Sequence, residues 1–222
     1  MEEAIGQSLP IAVGVLVSPL PIVALVLMLV SRRAGSNGIA FVLGWLVGIF
    51  VLGSLVALLA DGAGSGGEDP PLWAALLKLV LGALLLLLAV RSWQGRPAEG
   101  ETAPVPKWMA SIDAFNAFKA FGVGVLLGSV NPKNLLLVVS AGATIATATS
   151  ETNEQIIAVA VFTVVASLGV LVPLGIYLLA GESAARLLEG IKAWMIANNA
   201  VIMTILLTVL GVKMVGDGVG SF

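Results

Sequence analysis

Six long apolar stretches constrain this chain more than any other feature. Residues 5–30, 37–60, 72–91, 114–141, 153–180 and 197–216 each read as a helix of membrane-spanning length. A bilayer core about 30 Å thick needs roughly 20 apolar helical residues to cross it. Continuous runs such as LVLGALLLLLAV at 79–90 predict helices, because a membrane β-barrel would alternate polar and apolar positions. Composition agrees: 59% of the 222 residues are hydrophobic and 11% charged, against about 45–50% and about 25% in ordinary soluble domains. A soluble fold of this size cannot hide so many apolar side chains, since its own surface needs polar cover. The first stretch is not expected to be a cleaved signal peptide: it opens on Glu2 and Glu3, and its apolar run is too long. The expectation is an all-α polytopic membrane protein forming one integral domain over residues 1–222.

The chain has no cysteine and no histidine. Thiol nucleophiles, disulfides, CxxC relays, HExxH zinc sites and Ser-His-Asp triads are therefore excluded. No intramembrane carboxylate pair is expected either, so we expect no catalytic residue, no metal site, no cofactor and no enzymatic activity. The net charge of −2 offers no nucleic-acid footprint.

Basic residues alternate across the expected loops. Arg32 and Arg33 follow span one; Arg91, Arg96 and Lys107 follow span three; Arg186 and Lys192 follow span five, making seven of the 11. The N-terminus and residues 61–71 and 144–152 hold none, and carry Glu2, Glu3, Asp61, Glu68, Asp69 and Glu151 instead. The positive-inside rule puts the basic loops in the cytoplasm and both termini outside. Trp73, Trp93, Trp108 and Trp194 fall near expected interfaces, and only Trp45 lies inside a span. Lys78 and Lys213 are within snorkelling reach of the outer interface, near Asp61 or Asp217. In the long loop 92–113, QGRPAEGETAPVPK at 94–107 is linker-like. Trp108, Ile112, Phe115 and Phe118 have helical spacing, either as an interfacial helix or as the wet end of span four.

Three spans starting outside and three starting inside make a 3+3 inverted repeat if the halves correspond. VGVLVSPLPIVALVLML at 13–29 resembles VGVLLGSVNPKNLLLVV at 123–139, and Leu81-Gly82 matches Leu210-Gly211. Repeat one is then about 5–91, the cytoplasmic loop 92–113, and repeat two about 114–216. Pro19 and Pro21 fall near the middle of span one; Asn131, Pro132, Lys133 and Asn134 fall near the middle of span four. Proline breaks a helix and frees backbone groups, and in a membrane such irregularity survives only against protein or a wet cavity. Paired breaks in corresponding spans point to a transporter site, with two structural kinks as the plainer account.

Lys133 is the sharpest residue. An ammonium at the bilayer centre costs at least about 2.5–3.5 kcal/mol and should face the interior. It either pins freed carbonyls of span one or attracts an anionic group. Asn131 and Asn134 add amides, and Ser18 and Ser129 add hydroxyls near the breaks. The substrate-binding candidates are therefore Ser18, Pro19, Pro21, Asn131, Pro132, Lys133 and Asn134. Pro173 is expected to bend span five. Gly44 with Gly48, and Gly124 with Gly128, form two GxxxG pairs. These permit close packing within one chain or between the copies of a homo-oligomer.

These residues resemble the lysine-exporter (LysE) superfamily, and within it the glycolipid-addressing (peptidoglycolipid- or sulfolipid-addressing) proteins. The resemblance rests on SPLPIVALVLML at 18–29, NGIAFVLGWLVG at 37–48, LKLVLGALLLLLAVRSWQGRP at 77–97, PKWMASIDAF at 106–115, NPKNLLLVVSAG at 131–142 and LGVKMVGDG at 210–218. It implies a six-helix, two-repeat carrier in a bacterial plasma membrane, involved in moving envelope glycolipids. The expected partners are membrane lipids and a lipid or small anionic substrate. The alternatives are an accessory subunit of a lipid-export complex, docking through the 92–113 loop, and an exporter of a small metabolite. The absence of a central Asp, Glu or His argues against ordinary proton coupling.

Overall fold

The computed structural model describes residues 1–62, 72–96, 111–112 and 114–220. Their regular structure is helical: α1 (Glu2–Leu16), α2 (Pro19–Leu29), α3 (Ala34–Gly62), α4 (Leu72–Gln94), α5 (Ala117–Ser129), α6 (Pro132–Ala148), α7 (Thr152–Ala180) and α8 (Ala185–Val219), with a 3-10 turn at Gly181–Ala184. Four helices, α3, α4, α7 and α8, are long and apolar enough to cross a membrane. There are up to six crossings if α1 with α2 and α5 with α6 each count as one broken span. The chain is a multi-pass membrane protein.

Its surface pattern is the reverse of a soluble bundle's. Val47, Val51, Leu55 and Leu59 form an exposed stripe at i, i+4 spacing along α3, with Leu59 66% exposed; Leu76, Val80, Leu84 and Leu87 form another on α4 at steps of four, four and three. Apolar bands of this extent are tolerated only against lipid or another apolar surface. The core lies between helices, around Trp45, Phe41, Phe162, Leu25, Met28 and Leu137. There α3 packs chiefly along α5 and α4 along α8, while α1 lies against α6 and α7.

The two GxxxG pairs meet each other inside this chain. A Cβ on Gly44 would stand 2.0 Å from the Phe121 carbonyl oxygen, and one on Gly124 would stand 2.1 Å from that of Phe41. At Gly48 and Gly128 the nearest atoms are the carbonyl oxygens of Val125 and Trp45, at 2.9 and 3.0 Å. Small residues let the backbones of α3 and α5 touch, so these four glycines pack helix against helix within the chain. Gly82 and Gly211 likewise face each other across α4 and α8.

Several boundaries depart from the sequence expectation. The last helix begins at Ala185, not 197. Residues 185–196 are mostly good helix formers, and the charges of Arg186, Glu189 and Lys192 made a helical turn look like a loop. Span four does not run helically from residue 114: Asn116 caps α5, its side chain accepting from the Lys119 amide at 2.9 Å. The 112/115/118 spacing is thus interrupted, with Ile112 buried and Phe118 84% exposed. Trp108, Lys107 and the linker 97–110 lie outside the described residues. α6 continues to Ala148, past 141, as an apolar and small-residue run. Pro173 lies inside α7 without interrupting it.

Candidate functional site

Both breaks are built from the same local grammar. Ser18 precedes Pro19, and Asn131 precedes Pro132. Proline's ring pushes the preceding residue out of the α region. Ser18 accordingly sits at φ −97°, ψ 105° and Asn131 at φ −55°, ψ 123°. Each proline then opens the next helix at its first position, where a missing N–H costs nothing. The prolines therefore act as helix starts rather than mid-helix kinks, and the axes turn by 54° between α1 and α2 and by 62° between α5 and α6.

One helix end finds its partners locally. The Asn131 side chain accepts from the Lys133 amide at 3.2 Å and its carbonyl from the Leu135 amide at 2.8 Å. Asn131 is thus an N-cap. The orphan carbonyl of Leu127, in the last turn of α5, accepts from Asn134 Nδ2 at 2.9 Å. At α2, Pro19 and Pro21 remove two of the three first-turn donors, and Ser18 makes no side-chain cap. Its hydroxyl is left for another task.

That task joins the breaks. Lys133 Nζ donates to Ser18 Oγ at 2.8 Å, and Ser18 Oγ donates to Asn134 Oδ1 at 3.0 Å. With Asn134 Nδ2 on the Leu127 carbonyl, every donor points one way, from ammonium to hydroxyl to amide to backbone. Ser18 and Asn134 are buried, at 3% and 1% exposure; Lys133 is half-buried. Lys133 reaches span one through a hydroxyl, not through the freed carbonyls considered above. No ion pair involves Lys133 among the described residues. Its ammonium has three donors, and one is engaged by Ser18.

The remaining candidates fall around this relay. Pro19 and Pro21 are buried and Pro132 is exposed. Ser129 turns back onto its own helix, donating to the Val125 carbonyl at 2.7 Å. Sequence reasoning missed the connections of two other buried polar groups. Trp45 Nε1 donates to Ser167 Oγ at 3.2 Å, tying α3 to α7; Asn37 Nδ2 donates to the Phe115 carbonyl at 3.1 Å. The only hint for the first was a tryptophan inside a span rather than at an interface. Lys213 forms an i, i+4 ion pair with Asp217 on α8.

This arrangement gathers positive charge. Two helix N-termini and one ammonium converge where the backbone is irregular, and helix N-termini favour negative charge. A family model described as Sap, sulfolipid-1-addressing protein, matches residues 9–220. No curated protein and no solved structure matches the chain.

Proposed function

We propose a carrier for an anionic envelope lipid, starting from the premise that the chain belongs to the sulfolipid-1-addressing protein family. In this reading it sits in the bacterial plasma membrane with both termini outside, does no covalent chemistry, and is a member of the lysine-exporter superfamily. Its six spans form a 3+3 inverted repeat, α1–α4 and α5–α8. Each half opens on a bent helix pair and continues into a helix of 29 residues, α3 or α7. The packing supports the pairing: α5 lies along α3, and α1 along α7, as exchange of the halves requires. Gly169 repeats the close approach seen at Gly44, its Cβ position lying 2.1 Å from the Leu16 carbonyl oxygen.

The observation that carries the reading is the Lys133–Ser18–Asn134 relay, which ties one break to the other. Transport works by alternating access: an anionic head group takes over donors of Lys133, the bond to Ser18 is released, and the two broken helices rock past each other. The lipid's acyl chains stay in the bilayer, so only the head group needs a polar route.

The test uses the purified protein in liposomes with a fluorescent sulfated glycolipid, whose transfer between leaflets is read by an impermeant quencher. Lys133→Ala should slow transfer about tenfold or more, the factor that about 1.4 kcal/mol of lost head-group attraction represents. Lys133→Arg should retain part of it. Normal transfer by a folded Lys133→Ala protein would remove the basis of this proposal.

A further inference from the structure

The first turns of α8 carry a second lipid-facing feature that uses none of the break residues. At about 1.5 Å per residue, the 35 residues of α8 run to about 52 Å, well beyond a hydrocarbon core of about 30 Å. Arg186, Glu189 and Lys192 all fall in its first eight residues, while 193–212 holds no charge. The surplus length is therefore shared by the two ends, and residues 185–192 place their charges at one membrane interface. A groove of about 550 Å³ opens there, lined by Arg186, Leu187, Gly190, Ile191, Trp194 and Met195.

The groove has two chemical ends. Leu187, Gly190, Ile191 and Trp194 repeat at i, i+3, i+4 and i+7, so they share one helix face. Leu187 is 56% and Trp194 60% exposed, whereas Leu188 and Met195 turn inward. Gly190 keeps the floor open, since a Cβ there meets nothing within 4 Å. Arg186 stands one turn before Gly190 on the same side and makes no ion pair or hydrogen bond among the described residues. By helical position Lys192 lies off this face, and Glu189 flanks it at the Arg186 end, three residues from Arg186 and from Lys192. One guanidinium, without an ion pair among the described residues, thus heads an apolar trough bordered by an indole. Arg pairs bidentately with phosphate oxygens, and Trp favours the head-group level.

We propose that this groove is a binding site for a phospholipid with an anionic head group. The phosphate lies at Arg186, and an acyl chain runs over Gly190 between Leu187, Ile191 and Trp194.

Mass spectrometry of the intact full-length protein, released from micelles after titration with phosphatidylglycerol or phosphatidylcholine, tests it. Wild type should bind phosphatidylglycerol about fivefold more readily, the factor that about 1 kcal/mol per basic residue near an anionic head group represents. Arg186→Gln should abolish the preference while leaving residual binding. Gly190→Leu should lower binding of both lipids without lowering the melting temperature, since it fills open space. Equal binding of the two lipids by wild type would overturn the proposal. So would a preference that survives Arg186→Gln, which would assign it to another basic residue, or a Gly190→Leu protein that binds as wild type. A lipid-independent dimer lost in Gly190→Leu would also overturn it, by giving the groove to a second copy.

Discussion

Gly124 and Gly122 stand two residues apart on α5 and should respond to the same substitution with opposite signs. A methyl at Gly124 would meet the Phe41 carbonyl oxygen at 2.1 Å and the Trp45 amide nitrogen at 2.8 Å. Both are backbone atoms of α3, so no rotamer change relieves the clash. Ordinary contact begins near 3.4 Å, and the helices would have to part by about 1.3 Å. Overpacking of this kind costs about 1–3 kcal/mol, offset in part by the roughly 1 kcal/mol that Ala gains over Gly in a helix. Gly124→Ala should therefore lose up to about 2 kcal/mol. At Gly122 a Cβ meets nothing within 4 Å, so Gly122→Ala keeps only the helix gain, up to about 1 kcal/mol. The helix gain is common to both, so for a chain of this size the difference of about 1–3 kcal/mol corresponds to about 2–12 °C. Thermal unfolding in micelles, followed by tryptophan fluorescence, measures it directly. If the two variants melt within about 2 °C of each other, α3 and α5 do not touch backbone to backbone at this point.

Three further outcomes follow from the buried polar groups. Ser18→Ala strands both Lys133 Nζ and Asn134 Oδ1; a destabilisation of about 1–3 kcal/mol is expected in denaturant titration, and an unchanged midpoint would mean the relay is not formed. A double-mutant cycle on Trp45→Phe and Ser167→Ala should give a coupling near 0.6 kcal/mol, the average for hydrogen bonds between membrane helices; additive effects would deny the α3–α7 bond. Thr163 Oγ1 is buried without a hydrogen-bond partner among the described residues, so Thr163→Val should raise stability by up to about 1 kcal/mol in the same melts, and a loss of that size would reveal a partner.

The residues of this fold were largely legible, their meetings much less so. Apolar runs located α3, α4 and α7 closely, because a spanning helix must be apolar along its length. They failed at the start of α8, since helical continuity through Arg186, Glu189 and Lys192 is a backbone property that hydropathy does not report. The GxxxG pairs announced where backbones could approach. That Gly44 meets Phe121, and Gly124 meets Phe41, depends on how distant helices are brought together. Ser18 and Asn134 lie 116 residues apart, and each was named only as a polar neighbour of a proline. Asn131 illustrates the converse: a substrate-binding candidate by position, it caps α6 by geometry, a local role that its place before Pro132 already suggests.

The glycine contact between α3 and α5 also bears on the order of assembly. Gly44 and Gly48 are synthesised long before Phe121, Gly124 and Val125. During synthesis, α3 must wait in the bilayer with this face uncovered. A bare glycine ridge is a safe thing to leave waiting: its helix has already satisfied its own backbone bonds, and lipid tails cover it without penalty. A polar or aromatic latch at the same place would have sought a wrong neighbour in the interval. The first half of the molecule can thus be inserted early and completed late, and neither half is a finished body without the other.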